Sequence, residues 1–219
     1  MNLEMSVAMG AAGLAAGFFI PLLAQKTAEY KYEAKGRELV PAPRFYGPLL
    51  KAGCSVLNAA GWAAAGCYAA NWVSPALVAL LWTLAVVVAI VDTRIHIIPN
   101  EAVLAMAVLG AGLQLALFGA AGLLRALAAM AAVMAVFIVL AAFLGFHAVG
   151  AGDVKLAGAM GLALGYPYIL HALLGMAALL VVYCAGGIAM KKLTLKSMLP
   201  FAPFMMAGML AAMTAILLR

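Results

Sequence analysis

The 219-residue sequence predicts an all-α polytopic membrane protein, and three features lead there. Hydrophobic residues make up 68% of the chain and charged residues only 9%, where a water-soluble globule carries about 25% charged residues. The mean hydropathy is +1.16. The apolar runs are continuous and rich in Ala, Leu, Gly and Met, without the alternation that a membrane barrel needs. A span takes roughly 20 apolar residues, and after the polar connections are set aside the chain accommodates about eight helices, with both termini outside.

The first span is expected from Ser6 to Leu23. No Lys or Arg precedes it and Glu4 lies just before it, which is unlike a cleaved signal peptide, so it is read as retained. The only long polar segment follows, AQKTAEYKYEAKGRELVPAPRFYGPLLK. Its charges alternate in sign and TAEYKYEAK has helical composition, which predicts a solvated, partly helical loop broken by Pro41 and Pro43. Span two, Ala52 to Ala70, ends at the turn signal NWVSP, and span three runs from Ala76 to Ile90.

Pro99 follows in TRIHIIPNE, placed to open span four (Ala102 to Leu117) at its first turn. FGAAG makes a short turn into span five, Leu123 to Phe146. Span six starts at Asp153 and stops at GYP, span seven covers Tyr168 to Met190, and span eight Phe201 to Leu218 after the basic loop KKLTLKS. Ala157, Gly161 and Gly165 recur every four residues, a small-residue face that lets span six pack closely on a neighbour. Two domains are expected: residues 1–51 as a first helix with a basic cytoplasmic loop, and 52–219 as the membrane core.

The net charge of +6 does not point to nucleic acid, because the basic residues sit in short loops between spans and report orientation. With the first loop in the cytoplasm, Lys26, Lys31, Lys35, Arg37, Arg44, Lys51, Arg94, Lys155, Lys191, Lys192 and Lys196 lie inside, against Arg125 and Arg219 outside. The location is thus the inner (plasma) membrane, with the lipid bilayer as constant partner. Cys54, Cys67 and Cys184 form no Cys-x-x-Cys pair and are read as buried thiols. No cofactor and no metal is expected.

The chain has only two aspartates, Asp92 and Asp153, and the orientation places both at the cytoplasmic edge of their helices. A charge inside a bilayer costs about 2.5–3.5 kcal/mol, so such residues are usually functional. Two carboxylates at one depth suit general acid–base work on a water molecule: one takes its proton while the other, protonated, polarises a carbonyl. A close pair shares one proton, since like charges a few ångströms apart ionise together only at a cost. Taken singly, Asp153 is equally an N-cap and Asp92 a solvated loop carboxylate. Gly150 and Gly152 flank the carboxylate where backbone freedom or close approach is expected to matter. Lys155, about 200° round the helix from Asp153, is expected on another face, reaching the cytoplasmic surface. His96 and His147 are read as interfacial, because two lone histidines lack the further ligands a metal takes.

Three ordered segments resemble the type IV prepilin peptidases, membrane aspartic proteases of the GxGD type. VDTRIHIIPN is similar to the family's aspartate followed by [IL]-P-[DN], GAGDVKLAGAMG to G-x-G-D-x-K-[LM], and LPFAPFMMAG to P-F-x-P-F before the last span. The resemblance runs from span three to the end. It implies Asp92 and Asp153 as the catalytic pair, with Gly150, Gly152, Pro99 and Lys155 shaping the site or binding substrate. The implied substrate is the basic leader of a prepilin or pseudopilin precursor, cut at the cytoplasmic face after a glycine ahead of an apolar segment. Larger family members carry paired Cys-x-x-Cys zinc ligands in the first loop and also methylate the new N-terminus. Here that loop has no cysteine, which resembles a cleavage-only peptidase. The competing class is a proton-coupled transporter relaying protons through the two membrane-edge aspartates, for which carboxylates near mid-membrane on broken helices are expected.

Overall fold

The computed structural model describes residues 2–36, 45–67, 71–144, 150–193 and 199–217. Among these there are seven helices and no strand: α1 (Leu3–Glu33), α2 (Pro48–Cys67), α3 (Val73–Ile95), α4 (Asn100–Leu144), α5 (Ala151–Leu164), α6 (Tyr168–Ala189) and α7 (Ala202–Leu217). Four are long and apolar enough to cross a bilayer, at Leu3–Glu33, Val73–Ile95, Asn100–Phe143 and Tyr168–Ala189. The protein is therefore an all-helical membrane protein. His147 and the basic residues Arg37, Arg44, Lys196 and Arg219 lie outside the described residues.

The helix count differs from the expected eight because the turn foreseen at FGAAG is made by a single residue. Gly119 adopts φ 65°, ψ −163° between two otherwise continuous helical stretches of α4, a conformation open to glycine at little cost. The chain reverses there. Going along the first limb, Ile98, Gly110 and Gln114 meet Gly152, Ala163 and Gly165 in turn, so this limb runs parallel to α5. Along the second, Met130 meets Gly161 and Met134 meets Gly158, which is antiparallel.

Helix α5 is thus clasped between the limbs of α4, and its small residues are the reason. A Cβ on Gly161 would stand 2.9 Å from the Met130 Cα, and one on Gly110 2.6 Å from the Ala163 Cα, so both contacts require hydrogen as the side chain. The expected small-residue face of span six does make its helix contact. With 14 residues, α5 is about 21 Å long, short of the roughly 30 Å hydrocarbon layer; the limbs of α4, with α7 and α6, enclose its apolar length instead.

Helix α1 runs on through the segment expected to be loop, as far as Glu33. TAEYKYE has the composition for it, and Lys31 Nζ meets Glu101 on the first turn of α4 at 2.6 Å. Within the apolar layer α1, α2 and α3 are joined by side-chain polar groups. Asn58 Nδ2 donates to the Gly13 carbonyl at 3.0 Å, Thr83 Oγ1 to Asn58 Oδ1 at 2.9 Å, and Trp62 Nε1 to Thr83 Oγ1 at 3.0 Å. Such bonds between membrane helices contribute about 0.6 kcal/mol each on average and, more usefully here, fix their rotational register.

Candidate active site

The ends that bear the site are assembled at one end of the bundle. Asp92 occupies the last turn of α3 and Asp153 the first turn of α5. Lys31 to Glu101 and Lys155 to Asn100 bring α1, α4 and α5 to the same end, and Asp92 to Ala202 adds the start of α7. Among the described basic residues Arg125 is at the opposite end, close to the Gly119 reversal and to Tyr166.

Asp92 is 5% exposed. Its Oδ2 accepts the Ala202 backbone N–H at 3.0 Å, so one oxygen is held by the free N–H of a helix start. That donor is invisible in a sequence pattern, since any residue but proline supplies it. After Asp92 the helix closes at His96, which is exposed, takes left-handed backbone angles (φ 51°, ψ 39°) and donates its N–H to the Asp92 carbonyl at 2.8 Å. Histidine is among the residues that tolerate this region. The Arg94 and Glu29 charges both act on Tyr46, which brings the end of α3 and α1 beside the segment ahead of α2. Tyr46 is buried, and burial pushes its phenol above the ordinary range while Arg94 acts in the opposite direction.

Asp153 is half-buried at the third position of α5, and its Oδ2 accepts the Gly150 N–H at 3.1 Å. Glycine has no side chain to return the bond, so the Asp153 N–H reaches the Gly150 carbonyl at 3.0 Å instead. The N-cap reading of Asp153 is thereby refined: the carboxylate ties the turn before the helix from inside it, as a capping-box acid does. The remaining oxygen is uncommitted among the described contacts. The Asp92 charge acts on Asp153, which brings the two carboxylates within electrostatic reach of each other from separate helices.

The two glycines serve by close approach and not by unusual backbone angles. Gly150 has φ −71°, ψ 147°, open to any residue, and Gly152 is helical with no positive φ. A Cβ on Gly150 would sit 3.1 Å from Asp153 Oδ2, and one on Gly152 3.3 Å from the Ile98 Cβ. Each would push on the carboxylate or on its turn. Pro99 is buried immediately before α4, and its carbonyl accepts the Val103 N–H at 3.1 Å, opening that helix as foreseen. Lys155 is exposed, and its Nζ donates to Asn100 Oδ1 at 3.2 Å. It therefore stays beside the site, joining the first turn of α5 to the first residue of α4.

No group of three or more His, Cys, Asp or Glu able to hold a metal occurs among the described residues. Two acids at one end of a membrane bundle, one buried and one half-buried, each with an oxygen fixed by a backbone N–H, can hold a water between them and move its proton.

A model of the type IV leader peptidase family matches residues 78–218, well over half of the chain. The chain belongs to the type IV leader peptidase family. It is accordingly a membrane peptidase, and the match covers both aspartates, the α4 reversal and α7. No curated protein and no solved structure matches the chain.

Proposed function

We propose that this leader peptidase is an aspartic endopeptidase that cuts the basic leader from prepilin-like or pseudopilin-like precursors, with Asp92 and Asp153 as its catalytic pair. The observation that carries the reading is that the chain's two aspartates, 61 positions apart, lie in terminal turns of different helices at the same end of the bundle, each with an oxygen held by a backbone N–H. The pair shares one proton. The ionised member takes a proton from the bound water while the oxygen attacks the scissile carbonyl carbon. The protonated member donates its proton to the carbonyl oxygen, giving a neutral tetrahedral diol. Collapse breaks the C–N bond: the leaving nitrogen takes the proton from one member of the pair, a diol hydroxyl gives its proton to the other as the carboxyl group forms, and the pair again holds one proton. The Ala202 and Gly150 N–H groups each hold one carboxylate oxygen, which fixes the orientation of both acids.

The chain crosses the plasma membrane eight times, counting the limbs of α4 separately and including α2, α5 and α7, with both termini outside. The aspartates face the cytoplasm, where a basic leader is held back by the same charge rule that orients the enzyme. Residues 1–51 form a supporting helix and loop, and 52–219 the catalytic core. Placement of both acids in terminal helix turns favours surface chemistry on a peptide over a transporter, whose coupling carboxylates are expected near mid-membrane on broken helices. Co-expression with a candidate precursor tests the reading by gel mobility. A faster-migrating product dependent on this enzyme is expected; unprocessed precursor across a panel of prepilins and pseudopilins, with the enzyme inserted, would refute it.

A further inference from the structure

Beyond the aspartates an apolar groove of about 530 Å³ lies between α2, α3 and α7. Gly53 and Leu57 of α2, Ala85 and Ala89 of α3, and Pro203 and Ala207 of α7 are among its lining residues. On α3 the lining residues Ala85, Ala89 and Thr93 form a stripe spaced by four residues that ends at Thr93, the residue next to Asp92. On α7 it begins at Pro203, directly after the Ala202 N–H that holds the carboxylate. One end of the groove is therefore level with the buried aspartate, beside Thr93 and Pro203, and the other lies further along the same helices.

Its form suits a helix. The floor consists of small residues, Gly53, Ala85, Ala89 and Ala207, which let membrane helices approach closely. A Cβ on Gly53 would meet nothing within 4 Å, so this part of the floor is open. Leu49 and Leu57, at 91% and 44% exposure, stand along the rim, leaving the groove open at the side. From Leu49 to Leu57, and again from Ala85 to Thr93, the lining extends over nine helical positions, eight rises of about 12 Å or just over two turns.

We infer that this groove is the docking site for the precursor's own apolar segment: the first two helical turns beyond the scissile bond lie in it, which brings the bond to Asp92. The inference rests on the leader-peptidase reading and adds the place where the part of the substrate that is not removed is recognised. A peptide chain anchored in a groove that ends level with the carboxylate is held in register with it, so binding energy from the apolar turns positions the reacting carbonyl.

The test uses the full-length enzyme in membranes, with its native cysteines replaced by serine and a cysteine at Leu57→Cys. Precursors carrying single cysteines through the apolar segment are oxidised with it. Adducts at one or two positions within the first two turns are expected, with positions further along unreactive. In parallel, Gly53→Phe fills open space without a clash and should raise KM at least tenfold, whereas Leu174→Phe, on an exposed part of α6 outside the groove, should leave KM unchanged. Processing that proceeds without any adduct and with KM unaffected by Gly53→Phe overturns the groove alone. Adducts joining two enzyme copies at Leu57→Cys, in place of enzyme to precursor, overturn it in favour of self-association. Failure of the unaltered enzyme to process any precursor removes both the groove proposal and the peptidase reading.

Discussion

Replacing Gly152 by valine should slow catalysis without unfolding the protein, and the geometry sets the size of the effect. The new Cβ would stand 3.3 Å from the Ile98 Cβ and 3.5 Å from its Cδ1, before either valine methyl is placed. Overpacking of this kind costs about 1–3 kcal/mol. If the strain is relieved by moving the first turn of α5, Asp153 moves with it. At about 1.36 kcal/mol per decade the expected loss of rate is roughly 5- to 150-fold. Alanine should show a smaller loss together with equal or higher thermal stability, because Gly152 is helical and alanine is favoured in helices by about 1 kcal/mol. Initial rates of precursor processing in proteoliposomes, set beside thermal unfolding, give both quantities. Ile98→Ala removes the Cγ1 and Cδ1 atoms and should restore part of the rate to Gly152→Val. Wild-type rates for Gly152→Val, or a folded double variant no faster than the single one, would refute the close-approach argument.

Three further outcomes follow from the same site. Lys155→Met and Asn100→Ala should each cost about 2- to 10-fold in kcat, the worth of one exposed hydrogen bond of about 0.5–1.5 kcal/mol. The double variant should lose no more than either alone, and Asn100→Asp should retain the rate; additive losses would mean that the two residues act separately. The loop between α1 and α2 offers neither Cys nor His, so a strong chelator should leave cleavage intact and mass spectrometry should find a free α-amino group on the product. A methyl increment dependent on S-adenosylmethionine and this enzyme alone would contradict that. Cysteines placed at Lys35 and Lys192 should resist an impermeant thiol reagent added to intact cells, while one at Ala120 should react; labelling at Lys192 from outside would put the aspartates on the wrong face.

The all-helical class and the two candidate acids were legible because charge is scarce in this chain: two aspartates stand out where almost everything else is apolar, and each lies in an ordered motif. What the sequence could not disclose is what backbone does for them. The Ala202 N–H on Asp92 belongs to no residue type, and the Gly150 N–H on Asp153 is equally anonymous. Gly152 was recognisable as special, but its neighbour Ile98 is 54 positions earlier, so freedom of φ looked as good a reason as close contact. FGAAG read correctly as a turn, yet only the angles at Gly119 show that one residue makes it within a nearly unbroken helix. The helical extension of α1 was hinted at by TAEYKYE and needed Glu101 to hold its end. Cys54 read as a buried thiol and is one, at 4% exposure, whereas Cys67 and Cys184, read the same way, are only partly buried; that Cys54 lies against the groove depends on α3 and α7, which no local pattern reports.

The claim at the centre of this account is that Asp92 and Asp153 act as one proton-sharing unit. Its most direct test is the processing rate of purified Asp92→Asn, Asp153→Asn and the double variant on one precursor, with insertion and thermal stability measured on the same preparations. An amide at either position leaves the water without its base or the carbonyl without its acid, a loss of about 10²–10⁴-fold for general acid–base catalysis. Groups that act as a unit are strongly non-additive, so the account predicts that each single variant falls by at least about 10³-fold and that the double variant falls no further. Retention of near wild-type rate in either folded single variant, or losses that multiply in the double one, would contradict it.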